Sequence, residues 1–293
     1  MKTISILVIL VILVGIVWFL CYNKQNSNEL PVSIPENKTT DKLTFVVFGD
    51  CAISNKPYFN EKIITKIIEG TNSVNPAFVM FLGDGTNRAN PHDISNLKNV
   101  FKQLNSPLYV TIGNHDIIRG NNEGMKMGNG ENNFFKVFSD NMNSPNQDCY
   151  YSFAFKDNYF IVLNTAWQES KNISEHKLKP DSGQWKWLID QLKLAQSNYT
   201  NTIIFTHIPL IAWNDAGEKQ EFYKLMNQYN VKAVFSGHLH GYYSSVIGST
   251  KYVISGGAGS KPHIPKELGG FYHFIVCTVS NGELSTDLHK ITE

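Results

Sequence analysis

An α/β domain is the fold class this sequence predicts, and three observations lead there. Five short runs rich in β-branched and aromatic residues each end in a potential ligand. They are Phe45–Phe48 before Gly49-Asp50, Val79–Leu82 before Gly83-Asp84, Leu108–Ile112 before Gly113-Asn114-His115-Asp116, Ile203–Thr206 before His207, and Val234–Ser236 before Gly237-His238-Leu239-His240. Near-continuous apolar runs of this length read as strands buried on both faces. The stretches between the runs carry apolar residues at helical spacing, and the strand-like segments beyond His240 would close a second sheet. Ligands in open α/β sheets gather beyond the carboxyl ends of the strands, so the five runs predict one site.

Taken in order, the chain opens on an unbroken apolar run, Ile4 to Leu20, preceded by Lys2. Residues 1–22 therefore read as a transmembrane signal anchor. Positive charge on its amino side places the short tail in the cytoplasm and the rest outside, as a single-pass membrane protein. Secretion after signal cleavage is one alternative, although Trp18-Phe19-Leu20-Cys21 lacks the small-residue exit of a cleaved signal; a lipoprotein carried on Cys21 is another, although Leu20 is large for the position before it. Residues 23–41, rich in Asn, Ser, Pro, Glu and Lys, read as a polar linker. Residues 42–293 are long enough for one α/β domain with a sizeable core.

Within that domain, Phe59, Ile63, Ile64, Ile67 and Ile68 mark a helix over Tyr58–Ile68, and a second is expected over Ile94–Leu104. The Asn- and Gly-rich stretch Ile117–Gln147 reads as a loop excursion over the site. Strands follow at Tyr150–Phe155 and Tyr159–Asn164, joined by the turn-like Lys156-Asp157-Asn158. Ser182 is placed as the N-cap of a helix that carries Trp185, Leu188, Ile189 and Leu192 on one face. A further helix is expected over Glu218–Tyr229. Strands at Tyr242–Val246, Lys251–Ser255, Tyr272–Thr278 and Glu283–Leu288 are the ones assigned to the second sheet.

A formal net charge of +1 and the lack of a long basic run give no indication of a stable nucleic-acid partner. The four cysteines, Cys21, Cys51, Cys149 and Cys277, form neither a disulfide framework nor a Cys-x-x-Cys zinc motif, although a Cys149–Cys277 bridge would be allowed outside the cell. The histidines are more telling. His238 and His240, two apart on extended backbone, project to the same side, an arrangement suited to holding a metal. The two arginines of the chain, Arg88 and Arg119, follow the second and third ligand motifs. A guanidinium fork matches phosphate oxygens, so both are candidate substrate contacts. His92 and His263, in expected loops near the site's side of the sheet, are expected to be solvated or satisfied locally.

Five motifs in order, Gly49-Asp50, Gly83-Asp84, Gly113-Asn114-His115-Asp116, His207 and Gly237-His238-Leu239-His240, resemble those of the calcineurin-like metallophosphoesterase superfamily. Tyr150–Phe153 and Phe160–Thr165 are most similar to its purple-acid-phosphatase-like branch. The resemblance implies two facing mixed β-sheets flanked by helices, a four-layer α/β/β/α sandwich. It further implies a phosphoester hydrolase that uses a metal-bound hydroxide at a dinuclear site of two divalent or trivalent ions, Mn, Fe or Zn. Asp84 would bridge the ions. Asn114, His207 and His238 would complete one ion's protein ligands, and Asp50 and His240 would hold the other. His115 would protonate the leaving oxygen or steady the phosphoryl group, with Asp116 orienting its ring.

Two positions depart from the pattern. Ala52 stands where many relatives have a histidine, and Asn87 where purple acid phosphatases have a tyrosine. The Asn87 amide, a Cys51 thiolate or water would then fill the gap. The expected partner is a small phosphoester, with monoester and diester both open and a lean toward monoesters; oligomeric state is not indicated. The incomplete ligand set leaves a second possibility, a degenerate, non-catalytic surface protein that binds metal and phosphate.

Overall fold

In the computed structural model of this chain, residues 42–53, 60–87, 89–117, 129–168 and 177–293 are described. The expected anchor 1–22 and linker 23–41, together with Arg88 and Arg119, lie outside them. Among the described residues no helix is long and apolar enough to cross a membrane.

The first three ligand-ending runs form β1 (Leu43–Phe48), β2 (Phe78–Phe81) and β3 (Leu108–Val110), which pair in parallel. Parallel neighbours need a crossover. It is supplied by α1 (Glu61–Val74) and α2 (Pro91–Phe101). Asn60 caps α1 by accepting from Ile63 N, and Asn90 caps α2 ahead of Pro91 at its first position. Ile63, Ile64, Ile67 and Ile68 line the buried face of α1.

The expected excursion contains a helix, α3 (Asn129–Phe138). Phe134 and Phe138, four apart and both fully buried, stack at 4.7 Å and set this turn against the core. Packing of that pair overrides the weak helix propensity of the Asn-rich segment. Next come β4 (Tyr151–Phe155), β5 (Asn158–Val162), α4 (Gly183–Asn198), β6 (Asn201–Phe205), α5 (Ala216–Gln228) and β7 (Ala233–Ser236). Ser182 and Asp215 cap α4 and α5 through hydrogen bonds from Trp185 N and Glu218 N, 3.1 and 2.9 Å.

The last four strands, β8 (Tyr242–Ile247), β9 (Thr250–Ser255), β10 (Tyr272–Ser280) and β11 (Glu283–Ile291), do not share a sheet. The orders are β11-β10-β1-β2-β3 and β4-β5-β6-β7-β9-β8. This corrects the expectation that all four would close the second sheet. β10 instead runs antiparallel to β1, with Val46 opposite Val276, and so covers the edge that β1 would otherwise expose.

The two sheets face each other across an aromatic core. Phe45 of β1 stacks on Phe78 at 5.0 Å and meets Phe160, Phe205 and Phe235 of the opposite sheet edge-on at 5.6, 6.2 and 6.4 Å. Residues alternating with these on the second sheet, Tyr159, Ile161, Ile204 and Val234, turn outward against Trp185, Leu188, Leu192, Phe222 and Met226 of α4 and α5. Helix, sheet, sheet and helix thus form four layers. Tyr151 ties the sheets at one edge: its hydroxyl accepts from Val110 N at 3.0 Å and donates to Val110 O at 2.9 Å. Cys51, Cys149 and Cys277 are buried free thiols, so the allowed Cys149–Cys277 bridge is not formed.

One buried histidine on β10 gives stability a pH dependence. His273 Nδ1 donates to Phe271 O at 2.9 Å, leaving Nε2 to accept from Ser255 Oγ at 3.0 Å. Burial, with Lys290 nearby, pushes its pKa down to about 4 despite the Phe271 carbonyl. A folded value below the unfolded one means that the unfolded chain takes up the proton first. Stability should therefore fall as pH drops from about 6.5 to about 4 and level off below, by roughly 3 kcal/mol for this group. Urea unfolding of the wild type and His273→Gln across that range tests this; equal pH slopes would refute it.

Candidate metal centre

The carboxyl ends of β1, β2, β3, β6 and β7 converge, and the ligand candidates sit on the turns that leave them. Asp50, Ala52, Asp84, His238 and His240 all have positive φ, at 65°, 47°, 53°, 73° and 34°. Left-handed backbone costs a non-glycine residue roughly 1–3 kcal/mol, and such strain clusters at functional sites. The turns interlock: Asp50 N donates to Gly83 O at 3.0 Å, and His238 N donates to the Asp50 carboxylate at 2.9 and 3.0 Å. Two glycines permit the approach. A Cβ on Gly113 would lie 2.1 Å from Asp84 Oδ1, and one on Gly237 would lie 2.5 Å from Asp50 Oδ2.

Hydrogen bonding fixes how the imidazoles face. His207 Nδ1 lies 2.7 Å from Leu82 O, and a carbonyl only accepts, so Nδ1 carries the hydrogen. Nε2 then points at Asp84 Oδ1, 3.2 Å away, and Asn114 Oδ1, 3.0 Å away. A lone pair facing two oxygen acceptors is repulsive unless a cation sits among them. Without a metal ion a proton takes that place. Although burial opposes it, the Asp84 carboxylate pushes the His207 pKa up to about 10.

His238 Nδ1 lies 3.1 Å from the same Asn114 oxygen. His240 Nδ1 donates to Lys261 O at 3.0 Å, which leaves Nε2 3.6 Å from Asp50 Oδ1. Two donor groups result, Asp84 with His207 and His238, and Asp50 with Asp84 and His240, each with its ligand atoms within 4.8 Å of one another. Asp84 belongs to both. Its Oδ2 is buried and has no hydrogen-bond partner, the kind of orphaned atom that a bound cation would satisfy. Carboxylate, amide and imidazole donors around an orphaned oxygen fit divalent metal.

The carboxylates respond differently to their setting. Burial holds the Asp50 carboxyl well above its ordinary range, with His207 opposing and Asp84 adding to the rise. Burial acts in the same sense on Asp84, but His207, and after it His115 and His238, hold that carboxyl below the usual range.

His115 and Asp116 part company. The His115 backbone N–H donates to Asp84 Oδ1 at 2.9 Å, and its ring Nδ1 donates to Asn87 O at 3.1 Å. Asp116, expected to orient that ring, instead turns inward. It accepts from Thr86 N and Gly113 N, both at 3.0 Å, from Thr86 Oγ1 at 3.1 Å and from Gly85 N at 3.4 Å. Consecutive side chains diverge, and the buried loop amides outcompete the ring for the carboxylate.

Of the proposed gap-fillers, Cys51 stands in neither donor group. Asn87 engages His115 through its main-chain carbonyl, and Cys51 Sγ donates to Gly85 O at 3.5 Å. His92 is exposed beside Asn96, as expected. His263 is exposed too, and its ring stacks on that of His240. The Leu82 and Lys261 carbonyls that orient the His207 and His240 rings were not foreseen, since a carbonyl has no residue-type signature. Nor was Thr165, whose hydroxyl accepts from His207 N and Ile208 N at 3.1 and 2.9 Å, although it ends a strand in the same way as the ligands do.

Fold and donor set together define a metal-binding protein of the α/β/β/α class. Residues 43–242 match the calcineurin-like phosphoesterase family, and the chain belongs to it. Serine/threonine-protein phosphatase CPPED1 of Bos taurus is 26% identical over 215 residues, 66% of this chain and 63% of that protein. The match thus spans less than two thirds of that relative's length. A purple acid phosphatase from yellow lupin (Lupinus luteus) superposes with a TM-score of 0.65 at 15% identity, over 87% of this chain and 52% of the lupin chain. A dimetal phosphatase from Danio rerio superposes with a TM-score of 0.63 at 12% identity, over 86% and 97% of the respective chains. These two likenesses establish the fold.

Proposed function

We propose that this chain is a metal-dependent phosphoester hydrolase with a dinuclear centre of Mn, Fe or Zn. The observation that carries the reading is the sharing of one carboxylate, Asp84, between two donor groups. Asn114, His207 and His238 would hold one ion and Asp50 and His240 the other. Such a pair of ions supplies a nucleophile at neutral pH and compensates charge on the phosphoryl oxygens.

The chain's own residues supply orientation and a proton. Leu82 O and Lys261 O lock the tautomers of His207 and His240, so that each presents Nε2 to its carboxylate. His115, with Nδ1 committed to Asn87 O, keeps Nε2 to give a proton to the departing oxygen. Hydrolysis of mono- and bis-(4-nitrophenyl) phosphate by the purified protein, before and after chelation, tests the assignment. Turnover should disappear with the metal and return on adding Mn, Fe or Zn, with the monoester favoured. Full occupancy without turnover on a broad phosphoester panel would instead establish the non-catalytic binding protein.

The unbroken apolar run Ile4–Leu20 after Lys2 supports a further part of the proposal, that the domain is held outside the cytoplasm by a single membrane anchor. Protease added to intact cells should then remove the domain from the membrane fraction. Recovery of the protein from the medium would instead indicate signal cleavage.

A further inference from the structure

We propose that His263 is a phosphate-contacting residue at the mouth of the centre, on the Asp50 side; the inference rests on the phosphoesterase reading above. The segment between β9 and β10 is fastened to the site by its backbone. Gly256 N donates to Gly241 O at 3.0 Å, Ala258 N to Gly49 O at 2.9 Å and Ser260 N to Asp50 O at 3.0 Å. Lys261 O then receives His240 Nδ1. Four hydrogen bonds to the residues around Asp50 and His240 fix this stretch, and His263 follows two positions later. Its ring lies over that of His240, with centroids 4.0 Å apart and planes inclined by 29°.

That geometry excludes two simpler roles. Ring lone pairs lie in the ring plane, so nearly parallel imidazoles point side by side and do not converge on one ion; His263 belongs to neither donor group. Nor is it core packing, because the residue is exposed. No described residue hydrogen-bonds its ring nitrogens. An exposed imidazole stacked on His240, its ring nitrogens bonded by no described residue, is placed to donate an N–H to a bound phosphoryl oxygen. The Asp50 side has use for such a donor, since Ala52 offers no polar side chain there.

The test uses the full chain, metal content by elemental analysis and calorimetric titration with inorganic phosphate. His263→Phe retains an aromatic ring over His240 but has no N–H; His263→Gln retains an N–H. His263→Phe should keep wild-type metal content and bind phosphate about ten- to a hundredfold more weakly, the worth of one hydrogen bond to a charged group. His263→Gln should fall between that variant and the wild type. Phosphate affinity in His263→Phe within about twofold of wild type, well below that worth, would overturn the proposal. So would a fall in phosphate affinity that only tracks lost metal in both variants, which would make the ring a cover for His240. A wild-type chain that holds metal but no phosphate would remove this inference alone; one that holds no metal would remove the reading beneath it too.

Discussion

Asp84→Asn should lower kcat/KM at saturating metal by at least about a thousandfold, some 4 kcal/mol of transition-state stabilisation. The change alters charge with almost no change in shape. Asp84 Oδ1 accepts from His115 N and faces His207 Nε2, while the buried Oδ2 has no protein partner. An amide in this place puts either an N–H₂ group or a neutral oxygen toward each donor group, and both groups share this residue. Both ions should therefore weaken together, whereas His240→Ala should weaken only the one beside Asp50. The metal-free fold should tolerate the change well. Asp50, Asp84 and Asp116 are all buried, and Asp84 raises the pKa of both others, so removing its charge relieves repulsion as it removes the attraction to His207. Metal content, turnover and thermal unfolding of the metal-free form, measured on one preparation, separate these effects. Wild-type turnover with full occupancy in the variant would exclude Asp84 as the shared ligand.

How much of this was legible beforehand follows from which signals are local. A strand that ends in Gly-Asp or in a histidine is a pattern within a few residues, and Asp84 lies with His207 and His238 in one donor group and with Asp50 and His240 in the other, their donor atoms within 4.8 Å of one another. The partition of strands between sheets is not local. Nothing in Tyr272–Ser280 itself shows that it pairs with β1 and not with its predecessor β9; the exposed edge of β1 decides that. The helix in the Asn-rich stretch rests on two phenylalanines whose i,i+4 spacing was visible but whose burial was not. At the site, residue type pointed to the donor side chains that come together, while the carbonyls that set the imidazole tautomers are invisible to residue type. Adjacency also misled: His115-Asp116 reads as an acid with its orienting carboxylate, yet the two side chains serve different neighbours.

That misreading yields the second large expected effect. Asp116→Ala should destabilise the protein by roughly 3–5 kcal/mol, because it leaves the buried N–H groups of Thr86 and Gly113 without an acceptor at about 1–3 kcal/mol each, besides the Thr86 hydroxyl. Burial, and then the neighbouring Asp84, push the Asp116 pKa up to about 6, so part of this loss is offset by relief of repulsion. The loops that Asp116 joins carry Asp84 on one side and Asn114 on the other. Metal affinity should fall with stability, and bound metal should restore part of the loss by mass action. A carboxylate that only oriented His115 would behave otherwise, with stability almost unchanged and the effect confined to the pH–rate profile. Since the Asn87 carbonyl already holds the His115 ring, the profile is the readout expected to move least. Urea unfolding of Asp116→Ala with and without metal decides between the two: a loss under about 1 kcal/mol would return Asp116 to the orienting role, since a single unmatched buried donor already costs that much.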